Sequence, residues 1–325
     1  MVLSKQKQNI MKKIILSLIL TLGLSNLVNA QEVFPTRPVK IVTNLPVGAS
    51  PDVYARKMAQ ELEKKWGQPV IVENKPGGGG LVSLEYFLSQ PADGHTIYFG
   101  DFGIFVSVPI LYNKDYLFNQ IKPSTVGFFT HWILITPPHI ITLDQLKKEV
   151  KKNPTYGSWG VGSGGHLCGA EISTMLGIET QHVTYKETSI WLTDIANGTL
   201  PFGCSSIGTT ESFYKAGKLN YLAVASTKKN RYYPSLPTIT ELTGHQFQTG
   251  EVWVAFYINV KTDAYKTKII EQALREANRS TQMVDMVTSI KSIPSDNSSK
   301  EMAQIRKKSI DTYRSLIKKY NITIE

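Results

Sequence analysis

The segment YGSWGVGSGGH, residues 156–166, is a glycine- and serine-rich turn between a short extended run and a helical pattern over 166–176. Seven of its eleven residues are Gly or Ser. Glycine permits positive φ angles and lets the backbone approach a ligand closely. The N-terminus of a helix directs free N–H groups and the positive end of its dipole at the preceding turn. We therefore predict an anion-binding site at this turn.

A second turn of the same kind, LPVGASPD, covers residues 45–52. It lies between a short apolar run at 39–42 and a helical pattern over 51–66. We expect the two turns to face each other across a cleft. Backbone N–H groups around 48–50 and 162–165 would then hold one carboxylate between them.

Two other interpretations of the first turn stay open. Residues 160–165, GVGSGG, fit the dinucleotide-binding pattern G-x-G-x-x-G, which is weak evidence by itself. The run before it is poor in Val and Ile, and Glu187, which is near the spacing of a ribose-binding acid, is poorly placed after a strand. The other interpretation is a plain glycine-rich turn without a ligand.

The N-terminal residues predict export. Lys12 and Lys13 precede an apolar run over 14–24, and VNA at 28–30 fits a cleavage site. Residues 1–30 are therefore predicted to be a secretory signal peptide, with the mature chain beginning at Gln31. The apolar run is too short to span a bilayer. Met11 is an alternative start, since residues 1–10 add nothing that a signal peptide needs.

Composition narrows the function classes. The 325 residues carry a formal charge of +10, but the lysines are spread over helical patterns, which argues against nucleic-acid binding. Cys168 and Cys204 are the two cysteines, and an exported chain permits a disulfide that the sequence alone does not establish. His166 near Cys168 lacks the remaining ligands of a zinc site. No metal and no cofactor is expected.

Strand and helix patterns alternate in the first part of the chain, at 39–42, 51–66, 70–73, 81–90 and 96–99. This order predicts a parallel β-α-β-α-β sheet. Ser50 is the expected N-cap of the first helix, with Pro51 in its first turn. Ligands of such sheets bind beyond the carboxyl ends of the strands, which is where residues 45–52 lie.

A second block and a helical tail follow. Strand patterns lie at 126–135, 181–185, 200–205, 219–225 and 250–260, and helix patterns lie at 142–152, 190–197, 265–280, 281–290 and 298–320. Thr142 is the expected cap of its helix, and Ser298 with Glu301 forms a capping-box pattern. Together these patterns predict an α/β protein of two lobes with a ligand cleft between them.

Further motifs connect these elements to a known family. They include FPTRP at 34–38, GQPVIVENKPG at 67–77, PADG at 91–94, HVTYK at 182–186, KAGKL at 215–219 and SLPT at 235–238. In this order and spacing, over residues 34–325, the sequence resembles the substrate-binding receptors of the tripartite tricarboxylate transporters. These are the Bug receptors of the TctC type.

The resemblance implies a periplasmic binding protein fold of type II, with residues 31–131 and 254–325 in one lobe and 132–253 in the other. It implies a monomeric periplasmic receptor that closes on a small carboxylate, delivers it to membrane permease subunits and performs no chemistry. The alternative is a periplasmic ligand sensor on the same scaffold that signals to a membrane kinase. The identity of the neighbouring genes would distinguish the transport receptor from the sensor.

The chain departs from the family pattern around the ligand. The first turn usually reads PPGG where this chain has PVGA at 46–49, and a YKGG motif becomes YKET at 185–188. A Ser/Thr-rich stretch becomes DFGIF at 101–105, and an Asp common on the sixth strand becomes Ser205. Trp159 replaces a small or polar residue. The ligand therefore need not be one that is usual in the family.

The candidate ligand-binding residues come from both turns and from the changed positions. They are Val47, Gly48, Ala49, Ser50, Asp101, Phe102, Trp159, Gly162, Ser163, His166, Tyr185, Lys186 and Ser205. One candidate, His166, has a competing role, since it can bond to its own turn. Asp52, which is not a candidate, can cap its helix or orient the first turn. Ser163 lacks the hydrolase elbow pattern G-x-S-x-G, because residue 161 is Val.

The changed positions indicate the character of the ligand. Trp159, Val161 and Phe102 would offer apolar walls, and Asp101 and Glu187 would repel a second carboxylate if they line the cleft. An aromatic or otherwise apolar monocarboxylate, or a zwitterion, is then expected instead of citrate. The alternative is that these side chains face the core and that the pocket is an ordinary one.

Overall fold

The computed structural model describes residues 33–249, 251–319 and 322–323. The signal peptide expected at 1–30 and its cleavage site lie outside these residues. From Arg37 onward the chain forms one compact unit. None of the helices in the described ranges is long and apolar enough to cross a membrane.

The described residues form two β-sheets. The strands are β1 Val39–Thr43, β2 Val70–Asn74, β3 Thr96–Asp101, β4 Ile121–His131, β5 Ile133–Thr136, β6 Thr155–Ser158, β7 Gln181–Thr184, β8 Gly203–Ser205, β9 Asn220–Val224, β10 Glu251–Asn259 and β11 Ile293–Pro294. The first sheet has the order β11-β4-β10-β3-β1-β2 and the second β7-β6-β8-β5-β9. Two mixed sheets with helices between their strands confirm the predicted two-lobed α/β class.

The helices join the strands of each sheet and form the C-terminal tail. They are α1 Ser50–Trp66, α2 Leu81–Ser89, α3 Phe102–Phe105, α4 Ser107–Leu111, α5 Leu143–Lys152, α6 Gly164–Leu176, α7 Thr188–Ala196, α8 Ile207–Lys215, α9 Ile239–Thr243, α10 Ala264–Asn278, α11 Thr281–Ser289 and α12 Ser299–Lys319. Short 3₁₀ turns lie at Gly78–Gly80 and Asp115–Asn119. The short helices α3, α4 and α9 were not predicted from the sequence.

The first sheet begins with the predicted β-α-β-α-β unit, since β1 pairs in parallel with both β2 and β3. Helix α1 ends at Gly67, which adopts a left-handed conformation as expected for a helix stop. The prediction of Ser50 as N-cap is wrong. Ala49 occupies the cap position, because the Ser50 hydroxyl bonds instead to Ser206 and Thr209.

The strand predicted over 126–135 is two strands of different sheets. β4 ends at His131 and β5 begins at Ile133, with Trp132 between them. β4 pairs antiparallel with β10 in the first sheet, and β5 pairs antiparallel with β8 and β9 in the second. The break could not be predicted from the sequence, because Trp132 is a large apolar residue within the run and is buried like its two neighbours.

The chain changes sheet at Trp132 and returns to the first sheet at β10. These two connections lie near the expected lobe limits, 31–131 with 254–325 and 132–253, which remain a prediction. The second expected limit falls inside β10, whose residues already pair with β4 from Glu251 onward.

Residues 248 and 249, just before the chain returns to the first sheet at β10, are bound by Glu171 of α6. The Glu171 side chain is fully buried. Its carboxylate accepts hydrogen bonds from the N–H groups of Gln248 and Thr249, both at 3.0 Å, and from the Thr249 hydroxyl at 2.8 Å. The His245 ring lies 3.1 Å away. A buried carboxylate needs such partners. Glu171 therefore ties α6 to the segment that re-enters the first lobe.

Cys168 of α6 and Cys204 of β8 form a disulfide, with Cα atoms 6.1 Å apart. The pairing that the sequence left open is therefore present. The bond joins the helix behind the glycine-rich turn to the second sheet.

Helix α12 covers the first lobe. Its capping box is confirmed, because the Ser298 N–H donates to Glu301 at 2.7 Å and the Glu301 N–H donates back to the Ser298 hydroxyl at 3.3 Å. The Arg306 guanidinium donates to the backbone oxygen of Phe105 at 3.2 Å. The predicted Thr142 cap of α5 is also confirmed, through a full capping box.

Candidate functional site

The first turn, residues 45–52, is organised by Asp52. The Asp52 carboxylate accepts the Gly48 N–H at 3.1 Å, the Asn74 side-chain amide at 2.7 Å and two hydrogen bonds from Arg56 at 3.1 Å each. Asn74 also donates to the Leu45 oxygen at 2.9 Å. Of the two roles open for Asp52, these contacts favour orientation of the turn.

The second turn is organised by Ser163 and His166. Ser163 caps α6, since its hydroxyl accepts the His166 N–H at 3.3 Å. The Nδ1 atom of His166 in turn accepts the Gly162 N–H at 3.0 Å. Both side chains therefore shape the turn, and His166 has the role of bonding to its own turn.

The imidazole of His166 is buried, and this burial lowers its pKa to about 4. Beside it lies His182, with ring centroids 4.2 Å apart, and the Ser158 hydroxyl is 2.7 Å from His182 Nε2. Burial and then the neighbouring His166 lower the pKa of His182 to about 3. At neutral pH both rings are uncharged, which suits His166 Nδ1 as an acceptor. The rings of His166 and His182 also line a surface pocket of about 710 Å³.

The first turn contacts the residues that follow β8, at Ser206 and Thr209. The Ser50 N–H donates to Thr209 Oγ1 at 3.2 Å. The Ser50 hydroxyl lies 3.0 Å from the Ser206 hydroxyl and 3.1 Å from that of Thr209. We call Ser50, Ser206 and Thr209 the hydroxyl cluster. Ser206 and Thr209 were missed from the sequence, which offers no signal beyond the place of Ser206 next to Ser205.

The lobes also meet around Gly79 and Gly162. The Ser107 hydroxyl donates to the Gly162 oxygen at 2.5 Å. Gly79 has φ +61, and a Cβ atom there would lie 2.0 Å from the Val161 oxygen. A side chain at residue 79 is therefore incompatible with the observed approach of the two lobes.

Asp101 lies at the end of β3, and only 4% of its surface is exposed. Its carboxylate accepts the Ile104 N–H at 3.4 Å and so caps α3. Burial raises the pKa of Asp101, and the hydrogen bond from Ile104 partly offsets the effect.

Phe102 follows Asp101 and lies in the core of the first lobe, 1% exposed. Its ring centroid is 4.9 Å from that of Tyr313 and 6.1 Å from that of Trp253. A Cβ atom on Gly164 would come within 2.6 Å of the Phe102 ring. The edge of this ring therefore faces the start of α6.

Trp159 is partly buried between two other indole rings, 6.1 Å from Trp132 and 5.2 Å from Trp191 between centroids. The Trp159 Nε1 atom is buried without a hydrogen-bond partner among the described residues, as are the hydroxyls of Thr188 and Ser205. Buried polar groups are normally paired, so these three need a partner such as water or a ligand. Thr188 was not a candidate from the sequence.

The remaining candidates lie apart from these contacts. The Tyr185 hydroxyl donates to Asp194 of α7 at 2.6 Å, so its hydrogen-bond partner lies in the same lobe. Lys186 and Val47 are exposed. Ala49 is fully buried as the cap of α1.

Three of the backbone N–H groups expected to hold a carboxylate have acceptors within the protein. Gly48 donates to Asp52, Ser50 to Thr209 and Gly162 to His166. The bond from Ser50 joins the first turn to α8. A ligand carboxylate that binds the Ser50 N–H would have to replace Thr209 as the acceptor.

Comparison with known proteins supports one family. A family model described as TctC, tripartite tricarboxylate transporter family receptor, matches residues 54–322. The chain is 24% identical over 305 residues to a protein in the tcbD-tcbE intergenic region of Pseudomonas sp. (strain P51), covering 90% of this chain and 88% of the relative. It is 25% identical over 275 residues to protein BugT of Bordetella pertussis, covering 82% and 84%.

Solved structures show the same fold. The periplasmic binding protein BugD superposes with a TM-score of 0.82 at 23% identity, over 90% of this chain and 100% of that chain. R. palustris Rpa4515 with adipate gives 0.82 at 24% identity, over 89% and 99%. MatC of Rhodopseudomonas palustris with bound malate gives 0.80 at 20% identity, over 87% and 100%. The chain has the fold of periplasmic binding proteins and belongs to the tripartite tricarboxylate transporter family receptors.

Proposed function

We propose that this protein is an exported solute-binding receptor that captures a small carboxylate in the cleft and delivers it to the membrane subunits of a tripartite tricarboxylate transporter. The family supports the receptor role. The observation that carries the proposal is the hydroxyl cluster, where the N–H and hydroxyl of Ser50 meet Ser206 and Thr209 of the other lobe. Two relatives of the same fold are solved with adipate and with malate.

The hydroxyl cluster suits a carboxylate chemically. Each hydroxyl is both a donor and an acceptor, so Ser50, Ser206 and Thr209 can bond to one another in the closed form and donate to a carboxylate when it enters. Hydrogen bonds to a charged acceptor are stronger than those between neutral groups. The Ser50 N–H, at the start of α1, adds a donor close to the positive end of the helix dipole.

The other end of the ligand would contact Trp159 and the unpaired hydroxyls of Thr188 and Ser205. Removing apolar surface from water contributes about 25 cal/mol per Å², which favours an aromatic or apolar body against the indole ring. We therefore propose an aromatic or otherwise apolar monocarboxylate, or a zwitterion. The receptor binds its ligand without chemistry, is a monomer and works in the periplasm.

A thermal-shift screen of carboxylates tests the proposal, with citrate, succinate, benzoate and amino acids as probes. We expect at least one carboxylate to raise the melting temperature, without turnover. The Ser50→Ala variant should bind that ligand tenfold to a hundredfold more weakly, as estimated for a charged hydrogen bond of roughly 1.5–3 kcal/mol.

The exposed Ser189 provides the matched control, since Ser189→Ala removes a hydroxyl from the second lobe outside the cluster. If no carboxylate on the panel stabilises the protein, the receptor proposal fails. If a carboxylate binds but Ser50→Ala and Ser189→Ala behave alike, the ligand lies elsewhere.

A further inference from the structure

A pocket of about 420 Å³ lies on the first lobe, where α12 packs against β4. Because β10 runs antiparallel to β3, the end of β10 lies at the edge of the sheet opposite to the carboxyl ends of β1 and β3. The first turn follows β1 at that other edge, so the pocket is separate from the cleft. Its walls include the start of β4 at Ile121–Pro123, Val260 after β10, and Ala303, Arg306, Lys307 and Ile310 of α12.

Arg306 is the most buried of the basic residues in this pocket, at 7% exposed. Its Nε atom donates to the Phe105 oxygen at 3.2 Å, and its Nη1 atom donates to the Phe118 oxygen at 3.3 Å. The Cζ atom lies 5.1 Å from the centroid of the Phe118 ring and 5.4 Å from that of Tyr257. These contacts fix the guanidinium in position. The Nη2 atom is buried and has no hydrogen-bond partner among the described residues.

The charge of Arg306 has no acidic partner in the part of the chain that the structure describes, since both of its acceptors are backbone oxygens. Arginine keeps its charge in proteins, and buried charges are normally paired. Lys122 and Lys307 also line the pocket, and no Asp or Glu is among the lining residues. Lys122 has an acidic partner outside the pocket, Glu271 at 3.2 Å. The pocket therefore has an excess of positive charge and favours an anion.

Apolar side chains form much of the rest of the pocket. They are those of Phe118, Ile121, Pro123, Val260 and Ile310. Small-molecule sites typically have volumes of about 300–1,000 Å³ and combine a mainly apolar lining with a few polar groups. Hydrogen bonds between a guanidinium and a carboxylate are roughly twice as strong as those between neutral groups. The lining therefore suits a single carboxylate on a hydrocarbon chain.

We propose that this pocket is a second ligand site, separate from the cleft, which binds a carboxylate with a short hydrocarbon chain. Arg306 and Lys307 attract the carboxylate, and the apolar side chains contact the hydrocarbon chain. The inference does not rest on the proposed function, because none of the residues that line the pocket belongs to the two turns or to the hydroxyl cluster.

Calorimetric titration with octanoate tests the inference. The Ser50→Ala background weakens binding in the cleft, and octanoate should keep its affinity for the pocket there. In that background, Lys307→Gln should weaken octanoate binding by about threefold, as expected for one exposed charge. Lys308→Gln is the matched control, since Lys308 is the next exposed lysine of α12 and does not line the pocket. It should leave the affinity unchanged.

Filling the pocket gives a second comparison that leaves the charges in place. Ala303 is exposed at the pocket, and Ala303→Phe should weaken octanoate binding by about tenfold or more. Gln304→Phe places the same ring on the neighbouring exposed position outside the pocket and should have no effect. Arg306→Gln should also weaken binding by about tenfold or more. If that variant does not fold, Lys307→Gln and Ala303→Phe decide.

The neutral analogue octanamide tests the requirement for an anion, and it should bind at least about tenfold more weakly than octanoate. The inference is overturned if octanoate does not bind in the Ser50→Ala background, if each pocket variant behaves like its control, or if octanamide binds equally well. Phosphatidylglycerol vesicles distinguish a membrane contact from a small-molecule site. Binding of such vesicles that Lys307→Gln weakens, without any binding of octanoate, would also overturn the inference.

Discussion

At the scale of single residues, His166 shows how a titratable side chain can shape a binding turn without any chemistry. Its Nδ1 atom accepts the Gly162 N–H, so the turn requires a neutral ring. Burial lowers its pKa to about 4, below the ordinary value of about 6.5. The unfolded chain therefore binds a proton at a higher pH than the folded chain does.

The stability of the protein should depend on pH through this ring. The contribution of neutral His166 is fully present above about pH 6.5 and is lost as the pH falls toward 4, in total roughly 2–4 kcal/mol. His166→Gln should reduce the slope of unfolding free energy against pH in this window, as measured by denaturant titration. His182 also has a lowered pKa, so part of the slope should remain. The exposed His139 provides a matched His→Gln control on the surface. If His166→Gln changes the slope no more than His139→Gln does, the account of this ring is wrong.

The glycine-rich turns and the capping box of α12 could be predicted from the sequence. The hydrogen bonds between residues of different lobes could not. His166 bonding to its own turn follows from its place in the first turn of a helix. The partner of Ser50 does not follow, because Thr209 is 159 residues away along the chain. Ser107, which donates to the Gly162 oxygen, was missed for the same reason.

At the scale of elements, α6 is fixed at several points. Cys168 joins it to β8, and Glu171 joins it to residues 248 and 249. The turn before it contacts the first lobe. These contacts fix the position of the glycine-rich turn that precedes α6.

Removing the disulfide should destabilise the protein without changing what it binds. The bond closes a loop with a sequence separation of 36, and disulfides of this kind typically contribute 2–4 kcal/mol. The double variant Cys168→Ser/Cys204→Ser should lose about that free energy of unfolding in denaturant titration. The wild-type protein under a reductant should match it. A double variant as stable as the oxidised wild type would contradict the account.

Periodicity predicted most strands and helices of both lobes, since regular burial of apolar residues leaves a signal in the sequence. It failed at Trp132, where an unbroken apolar run crosses from one sheet to the next. It also missed α3 and α4, which have four and five residues and are too short to show a helical period. Glu171 was not singled out because a buried glutamate looks like any helix-surface acid in a sequence.

At the scale of the whole molecule, the two lobes touch at Ser50 and Thr209, and they also touch at glycines, which have no side chain. Gly79 lies against the Val161 oxygen, and Gly103 lies against Gly162. The two lobes can make these contacts only because the backbone of one lobe comes close to the backbone of the other.

Gly79→Ala should therefore hold the lobes apart, because its Cβ atom would lie 2.0 Å from the Val161 oxygen. Small-angle scattering should report a larger radius of gyration, and affinity for the carboxylate should fall by about tenfold or more. Gly67→Ala is the matched control, since Gly67 has a similar φ of +65 and no atom within 4 Å of an added Cβ. Both variants carry the same backbone strain, and only Gly79→Ala blocks closure. Identical scattering and affinity for the two would contradict this account of closure.

The central claim is that the closed receptor holds a single carboxylate at the hydroxyl cluster. A crystal structure of the protein with the best carboxylate from the thermal-shift screen tests it most directly. The account predicts carboxylate oxygens about 3 Å from the Ser50 nitrogen and from the Ser206 or Thr209 hydroxyl. A carboxylate bound away from Ser50, Ser206 and Thr209 would contradict it.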